Sequence, residues 1–405
     1  MKIDIIVGML IILSFLSVAG ALYLFLDTRF SGALPAFGHS ENLPADAVID
    51  YAPIDYNPEH ASNINPTEPA DEIILAGENY IHYDANYENY ILPLEEAPLL
   101  DVVTITLSAA GDTTLGGDSR WAGYHAFMRE FRNSGYDHSH FLRNISHIFR
   151  DSDLSIVNLE GTLTYATYHM DKEFVFRGPP HFAKMLSSSY VDAVTIANNH
   201  TIDFFDRGYR DTVNALRAED IVYFGNEFNT IMEVNGINVG LFGHRIWHDS
   251  AQNRSRITDS MENLRERGAQ LIIAYFHWGT EHVNFPEPYQ VAIGRYAIRN
   301  GADLVLGAHP HVIQGVEEYM GRHIVYSLAN FCFGGNANPR DQDSFIFQQT
   351  FTFHEGQLQP YDEINIIPIF VSSVRYRNDF QPTVAEGEDA QRILGRISRY
   401  SEALR

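Results

Sequence analysis

Ala193-Val194-Thr195-Ile196-Ala197-Asn198-Asn199-His200 is a short apolar run, β-branched at its three central positions, that stops abruptly in two amides and an imidazole. A run of this length without alternation reads as a strand buried on both faces. The polar residues mark its carboxyl end. The same arrangement recurs along the chain. Val102–Ala110 leads to Gly111-Asp112, Ser155-Ile156-Val157 to Asn158-Leu159-Glu160, and Leu271–Phe276 to His277-Trp278-Gly279. Leu304-Val305-Leu306 leads to Gly307-Ala308-His309-Pro310-His311, and Ile324-Val325-Tyr326 to Ser327-Leu328-Ala329-Asn330. Between these runs lie segments with helical apolar spacing: Phe141–Phe149, Ala183–Leu186, Tyr209–Leu216 and Tyr289–Asn300. Strand and helix in alternation predict an α/β layered fold with a largely parallel sheet. Ligands of open α/β sheets bind outside the carboxyl ends of the strands, which is where these polar residues sit.

Asp112, Glu160, Asn199, His200, His277, His309 and His311 form a chemically coherent set. Oxygen donors mixed with imidazoles suit a divalent Mn, Zn or Fe ion. Two carboxylates, an amide oxygen and three imidazoles could hold two ions, a common device for activating water against a phosphoryl or carbonyl group. Pro310 disfavours helix at His309, and in an extended segment His309 and His311 point the same way, so both could reach one pocket. Each residue alone has an ordinary reading. Asp112 could be a turn residue or helix cap, Asn198-Asn199 an Asx turn, Glu160 a satisfied loop carboxylate, and any histidine a surface or hydrogen-bonded residue. Five strand ends together point instead to a metal or polar catalytic centre. Arg177 is a candidate for bidentate carboxylate or phosphate binding, or a surface ion pair. Trp278, with Tyr275 and Phe276, could line a substrate groove or belong to the core. Cys332, between Phe331 and Phe333, reads as a small buried hydrophobe.

The whole chain has 405 residues and a formal net charge of -24, which argues against sequence-independent nucleic-acid binding, a mode driven by Lys and Arg. Its single cysteine rules out an internal disulfide or a thiolate cage. Residues 5–26 are uncharged and apolar, long enough to cross a bilayer core of about 30 Å. A transmembrane anchor within residues 1–30 is the expectation, with a cleaved signal peptide as the alternative. The positive charges before the span place the following chain outside the cytoplasm. Residues 31–100 hold thirteen Asp or Glu, eight Pro and no Lys or Arg, which predicts an extended acidic tether. Residues 101–405 then form the domain that carries the chemistry. Glu388 to Arg405 are expected to form an amphipathic helix docked through Ile393, Leu394, Ile397 and Leu404.

Six ordered motifs resemble one known family. They are Gly111-Asp112-Thr113-Thr114-Leu115-Gly116-Gly117, Asn158-Leu159-Glu160, Ala197-Asn198-Asn199-His200-Thr201-Ile202-Asp203, His277-Trp278-Gly279-Thr280-Glu281, Gly307 through Glu317, and Tyr326-Ser327-Leu328-Ala329-Asn330-Phe331. Over roughly residues 103–370 the chain looks like the capsule synthesis protein CapA family, associated with poly-γ-glutamate capsules. That family is similar in turn to calcineurin-like metallophosphoesterases, which implies a four-layer α/β fold of two packed β-sheets flanked by helices. The resemblance implies that Asp112, Glu160 and His311 hold a first metal, with Glu160 bridging to a second held by Asn199, His277 and His309. It implies that His200, oriented by Asp203, protonates a leaving group. Arg177, Trp278, Glu281, Gln314 and Asn330 are the candidate substrate contacts. The implied protein is a membrane-anchored, extracytoplasmic, metal-dependent hydrolase or transferase. Its substrate would be an anionic envelope polymer such as poly-γ-glutamate, or the polymer's carrier, and its partners capsule synthesis and export proteins. The alternatives are a non-catalytic polymer-binding component of such an assembly and a generic phosphatase. Four positions depart from the patterns: Thr114 stands where phosphoesterases have a His ligand, Glu160 replaces a shorter Asp, and Phe205 and Ala329 replace glycines.

Overall fold

Val102–Thr114, the run that opens the domain, is a 13-residue strand, β1. The computed structural model describes residues 102–360 and 363–404, so the expected membrane span and acidic tether lie outside it. Among the described residues no helix is long and apolar enough to cross a membrane. The strands that follow are β2 (Leu154–Leu159), β3 (Thr162–Leu163), β4 (Arg177–Gly178), β5 (Ala193–Thr195), β6 (Val222–Phe224), β7 (Thr230–Val234) and β8 (Ile237–Ile246). Then come β9 (Leu271–Trp278), β10 (Leu304–Ala308), β11 (Val316–Tyr319), β12 (Arg322–Val325) and β13 (Asn330–Phe333). The last are β14 (Asp343–His354), β15 (Gln357–Leu358), β16 (Glu363–Phe370) and β17 (Thr383–Val384). Helices are α1 (Ala122–Asn133), α2 (Ser146–Arg150), α3 (Ala183–Ser187), α4 (Phe205–Ala218), α5 (Ala251–Glu266), α6 (Pro288–Arg299) and α7 (Gly387–Glu402).

The strands form two large sheets, and β3 and β4 pair separately. A nine-stranded sheet runs β17-β16-β14-β1-β2-β5-β6, with β13 joined to β1 and β15 to β14. A six-stranded sheet runs β11-β12-β10-β9-β8-β7. Each is parallel at its centre, through β1-β2-β5-β6 and β8-β9-β10-β12. Each becomes antiparallel toward an edge, at β14 and β16 in one and at β7 and β11 in the other. The single largely parallel sheet suggested by alternation is therefore replaced by two mixed sheets. The second half of β14 alternates buried and half-buried residues, the signature of an antiparallel strand with one face covered.

Three apolar clusters define the layers. Ile105, Leu107 and Ile156 of one sheet meet Leu241, Ile273 and Leu306 of the other between the sheets. Phe127, Phe182 and Leu216 pack from the helices onto the outer face of the nine-stranded sheet. Ile257, Leu264 and Ile293 do the same on the six-stranded sheet. The helix expected over 141–149 is reduced to α2, although Phe141, Leu142, Ile145, Ile148 and Phe149 are all buried: the apolar spacing is satisfied by turns. Helix α7 docks through Ile393, Ile397 and Tyr400, at helical i, i+4, i+7 spacing, whereas Leu394 is 38% exposed.

One irregularity positions the site. The register of β1 shifts between Ala110 and Asp112 against β2, and between Asp112 and Thr114 against β13; such bulges re-aim side chains. Gly111 makes this fit, since a Cβ there would lie 1.9 Å from the Ala329 carbonyl oxygen. The Asp112 N–H donates to that same oxygen at 2.9 Å. Ala329 (φ 60°) and Phe205 (φ 51°) both adopt the left-handed conformation, which a glycine would accept without strain. A side chain in that region costs about 1–2 kcal/mol.

Candidate metal centre

The carboxyl ends of β1, β2, β5, β9 and β10 converge, so strands of both sheets supply one cluster. Asp112 is fully buried; its Oδ1 accepts from Asn158 Nδ2 at 2.8 Å. Its Oδ2 accepts from the His309 N–H at 3.2 Å and lies 3.0 Å from His311 Nδ1. Glu160 is also fully buried, and neither carboxylate oxygen has a hydrogen-bond partner. Its Oε1 lies 3.6 Å from His277 Nε2 and 3.9 Å from His200 Nε2, and its Oε2 lies 4.0 Å from His311 Nδ1. Burying an ionised carboxylate without partners is costly. Burial, reinforced by the Asp112 charge, pushes the Glu160 carboxyl well above the usual range.

The imidazoles divide into two kinds. His277 Nδ1 lies 3.2 Å from Asn158 Nδ2, and its Nε2 lies 2.6 Å from Asn199 Oδ1 on the side of Glu160. Burial and the neighbouring His309 and His311 hold His277 well below its ordinary pKa. His309 is lowered to about 3 by burial and His311, and its Nδ1 is buried without a partner. Both rings are therefore neutral, with lone pairs suited to a cation. His311 goes the other way. Burial opposes its charge, but Glu160 and Asp112 outweigh burial and raise it to about 10, so a proton occupies the position between two carboxylates. His309 (φ 96°) and His311 (φ 57°) are not extended. They reach one pocket, ring centroids 5.8 Å apart, through left-handed backbone of the strained kind that gathers at functional sites.

Three sets of donor atoms lie within 4.8 Å of one another: Asp112, Glu160 and His311; Glu160, His277 and His309; and Glu281, His309 and His311 at the rim. These buried groups could bind a metal. Orphaned oxygens on Glu160 and an orphaned nitrogen on His309 are what an absent cation would satisfy. Thr114 donates its hydroxyl to the Glu160 carbonyl at 2.7 Å and so braces the backbone of that residue.

His200 stands beside the cluster. Its Nδ1 lies 2.7 Å from Asp203 Oδ2, and its ring stacks on Phe176 at 4.1 Å. Asp203 is buried, accepts from the Phe176 N–H at 2.6 Å, and pairs with Lys172 Nζ at 2.7 Å. Burial lowers the His200 pKa against the opposing pull of Asp203.

All seven strand-end residues named from the sequence lie in or beside the cluster, as do two of the five expected substrate contacts. Asn330 Oδ1 lies 2.9 Å from His311 Nδ1, and Glu281 lies at the rim. The other three are not brought there. Trp278 is wholly buried, facing the helices, with its Nε1–H on the Tyr326 carbonyl at 2.8 Å. Strand alternation dictates this, because its neighbour His277 takes the site face. Gln314 is buried, donating to the Val283 carbonyl at 2.8 Å and accepting from Gln290 at 3.1 Å. Arg177 donates to the Ala166 and Tyr165 carbonyls and caps the Phe204 ring at 5.3 Å. Cys332 is buried, as expected, and burial raises its thiol pKa.

Sequence reading missed Asn158, Lys172 and Trp247. Asn158 carried the same strand-end signal as Glu160 and orients both Asp112 and His277. Lys172 and Trp247 sit in loops with no motif to mark them. The Trp247 ring lies 4.8 Å from His309 and 6.1 Å from His277.

Residues 106–335 match the family described as "Bacterial capsule synthesis protein PGA_cap". The chain is 27% identical over 222 residues to "PGA biosynthesis protein CapA" of Bacillus subtilis (strain 168), covering 50% of this chain and 58% of that one. It is 25% identical over 270 residues to "Capsule biosynthesis protein CapA" of Bacillus anthracis, covering 60% and 63%. It is also 25% identical over 283 residues to a "Probable polyglutamine synthesis accessory protein" of Mycobacterium tuberculosis, covering 61% and 73%. The chain thus spans about three-fifths of the length of the two Bacillus relatives.

Proposed function

Because the chain belongs to the bacterial capsule synthesis protein PGA_cap family, we propose that it is a metal-dependent hydrolase or transferase of capsule polymer synthesis. It acts on an amide or phosphoester bond in an anionic envelope polymer such as poly-γ-glutamate, or in the polymer's carrier. In this reading residues 5–26 hold the domain at the outer face of the cell membrane. The observation that carries the reading is Glu160: a fully buried carboxylate with two unpartnered oxygens, common to two of the donor sets. Two packed sheets with the cluster at their shared edge support the likeness to calcineurin-like metallophosphoesterases.

Asp112, Glu160 and His311 would hold one ion; Glu160, Asn199, His277 and His309 would hold the other. Bound divalent cations of the Mn, Zn or Fe kind supply Lewis acidity that polarises a carbonyl or phosphoryl oxygen and makes water a nucleophile near neutral pH. The protein's own groups do the rest. Asn158 orients the Asp112 carboxylate and the His277 ring through its one amide nitrogen. Asp203 holds His200 Nδ1, so Nε2 is the atom directed at the cluster, where it would take a proton from the attacking water and pass it to the leaving group.

The test is elemental mass spectrometry on the purified protein beside Asp112→Ala and His309→Ala. One or two equivalents of metal, reduced in both folded variants, is the expected result. No metal in the folded protein after reconstitution would overturn the hydrolase mechanism and leave a non-catalytic polymer-binding role.

A further inference from the structure

Residues 101–405 carry 26 Lys and Arg against 37 Asp and Glu, so an anionic substrate needs a local cation at the mouth of the site. Arg177, the residue the sequence offers, is committed to loop carbonyls. A different arginine answers the requirement. Arg245, next to the end of β8, is paired in register with His277 of β9. Residues so paired project from the same sheet face. Its neighbour His244 takes the opposite face, where it meets Ser260 of α5. Arg245 is exposed and makes no side-chain hydrogen bond or ion pair with the described residues. Its charge nevertheless acts on the buried His277 ring.

Two residues on, Trp247 is 41% exposed and turns its ring edge-on toward His309 and His277. An exposed indole against metal-ligand candidates, beside an unspent guanidinium from the same strand end, makes a two-part surface. One part is a flat apolar wall; the other is a fork of donors matched to an oxyanion.

We propose that Arg245 and Trp247 form the substrate clamp of the cluster: Arg245 binds a carboxylate or phosphate oxygen flanking the reacting bond, and Trp247 walls the chain that carries it. The proposal deepens the hydrolase reading and rests on it for the position of the reacting bond, but not for anion binding itself. Neither residue supplies a donor to the metal sets, so both can change with the centre intact. Carboxylate and phosphate share the chemistry that Arg245 recognises, and they would come from an acidic peptide-like polymer or from a phosphorylated carrier.

The experiment titrates the metal-reconstituted full chain, and the metal-free protein in parallel, with a short oligo-glutamate and with inorganic phosphate by calorimetry. Parent, Arg245→Gln, Arg245→Lys and Trp247→Ala proteins are compared, with metal content measured in each. A charge-assisted contact predicts that Arg245→Gln weakens at least one probe about 10- to 100-fold with metal content unchanged, and that Arg245→Lys recovers part of the loss. Weakening confined to oligo-glutamate assigns an acidic polymer; weakening of phosphate assigns a phosphorylated carrier. Trp247→Ala is expected to weaken the oligomer more than phosphate. Unchanged affinity for both probes in folded Arg245→Gln, or no binding of either by the parent, overturns the clamp. Failure of the parent to take up metal overturns the hydrolase reading instead, and the metal-free titrations still decide whether Arg245 binds the anion.

Discussion

Glu160→Gln should stabilise the metal-free protein and abolish its response to metal. In the metal-free fold the Glu160 carboxylate has no hydrogen-bond donor and faces the Asp112 charge. Leaving a buried polar group unsatisfied costs about 1–3 kcal/mol, more when it is charged. Glutamine has the same shape without the charge. What is lost is a partner for protonated His311, which keeps the closer Asp112 at 3.0 Å. The net gain is about 1–3 kcal/mol, and each kcal/mol moves the midpoint of a domain this large by about 2–4 °C. Metal reverses the order. A cation at a hundred times its dissociation constant stabilises the parent by about 2.7 kcal/mol, whereas the variant has lost the donor shared by both sets. Calorimetric melts in chelator and in Mn or Zn should therefore cross: the variant melts higher without metal and lower with it. A variant that melts below the parent in chelator, or that keeps the parent's metal shift, would refute the reasoning about Glu160.

Three further outcomes follow from other parts of the structure. His244, buried and beside Arg256, has its pKa lowered to about 4. The unfolded chain therefore binds more protons than the folded one between that value and the ordinary about 6.5. Its contribution to stability is complete above pH about 6.5 and is lost as the pH falls toward 4; about 1 kcal/mol should go between pH about 7.5 and 5.5. His244→Gln should flatten the denaturant-midpoint profile in that window, and an unchanged slope would contradict the assignment. Lys172→Met leaves the buried Asp203 without its cation and should cost about 1–3 kcal/mol, less than a wholly buried pair because the ammonium is 27% exposed. Urea unfolding measures it, and a loss below about 0.5 kcal/mol, the range of an exposed pair, would count against it. Gly111→Ala forces a methyl onto the Ala329 carbonyl, 1.9 Å away, and should cost about 3 kcal/mol or more. A variant unfolding within about 1 kcal/mol of the parent would contradict the close approach of β1 and the β13 loop.

Much of the site was legible because strand ends are local. Asp112, Glu160, Asn199, His277 and His309 each follow an apolar run, and a parallel sheet brings such ends to one edge whatever the strand order. Strand order itself was not legible from that pattern. The buried faces of β5 and β9 look alike in sequence, yet one strand lies in each sheet, because pairing depends on partners far along the chain. Trp278 shows the same limit at one residue. It adjoins His277 in a motif, but alternation sends it to the helix face, where α6 and Tyr326 cover it.

The sequence by itself determined that apolar runs end in a metal-compatible set of side chains, that Cys332 lies in an apolar run, and that residues 31–100 are acidic; it also carried the family resemblance. These are properties of composition and short-range order. Only the tertiary structure decided which donors share Glu160, that the His311 ring is charged while His277 and His309 are neutral, and that Arg245 is uncommitted while Arg177 is spent. Those outcomes depend on distances of a few ångströms between residues from Asp112 to His311 in the chain, and on burial that strips water from some charges and not others. No local pattern encodes either quantity.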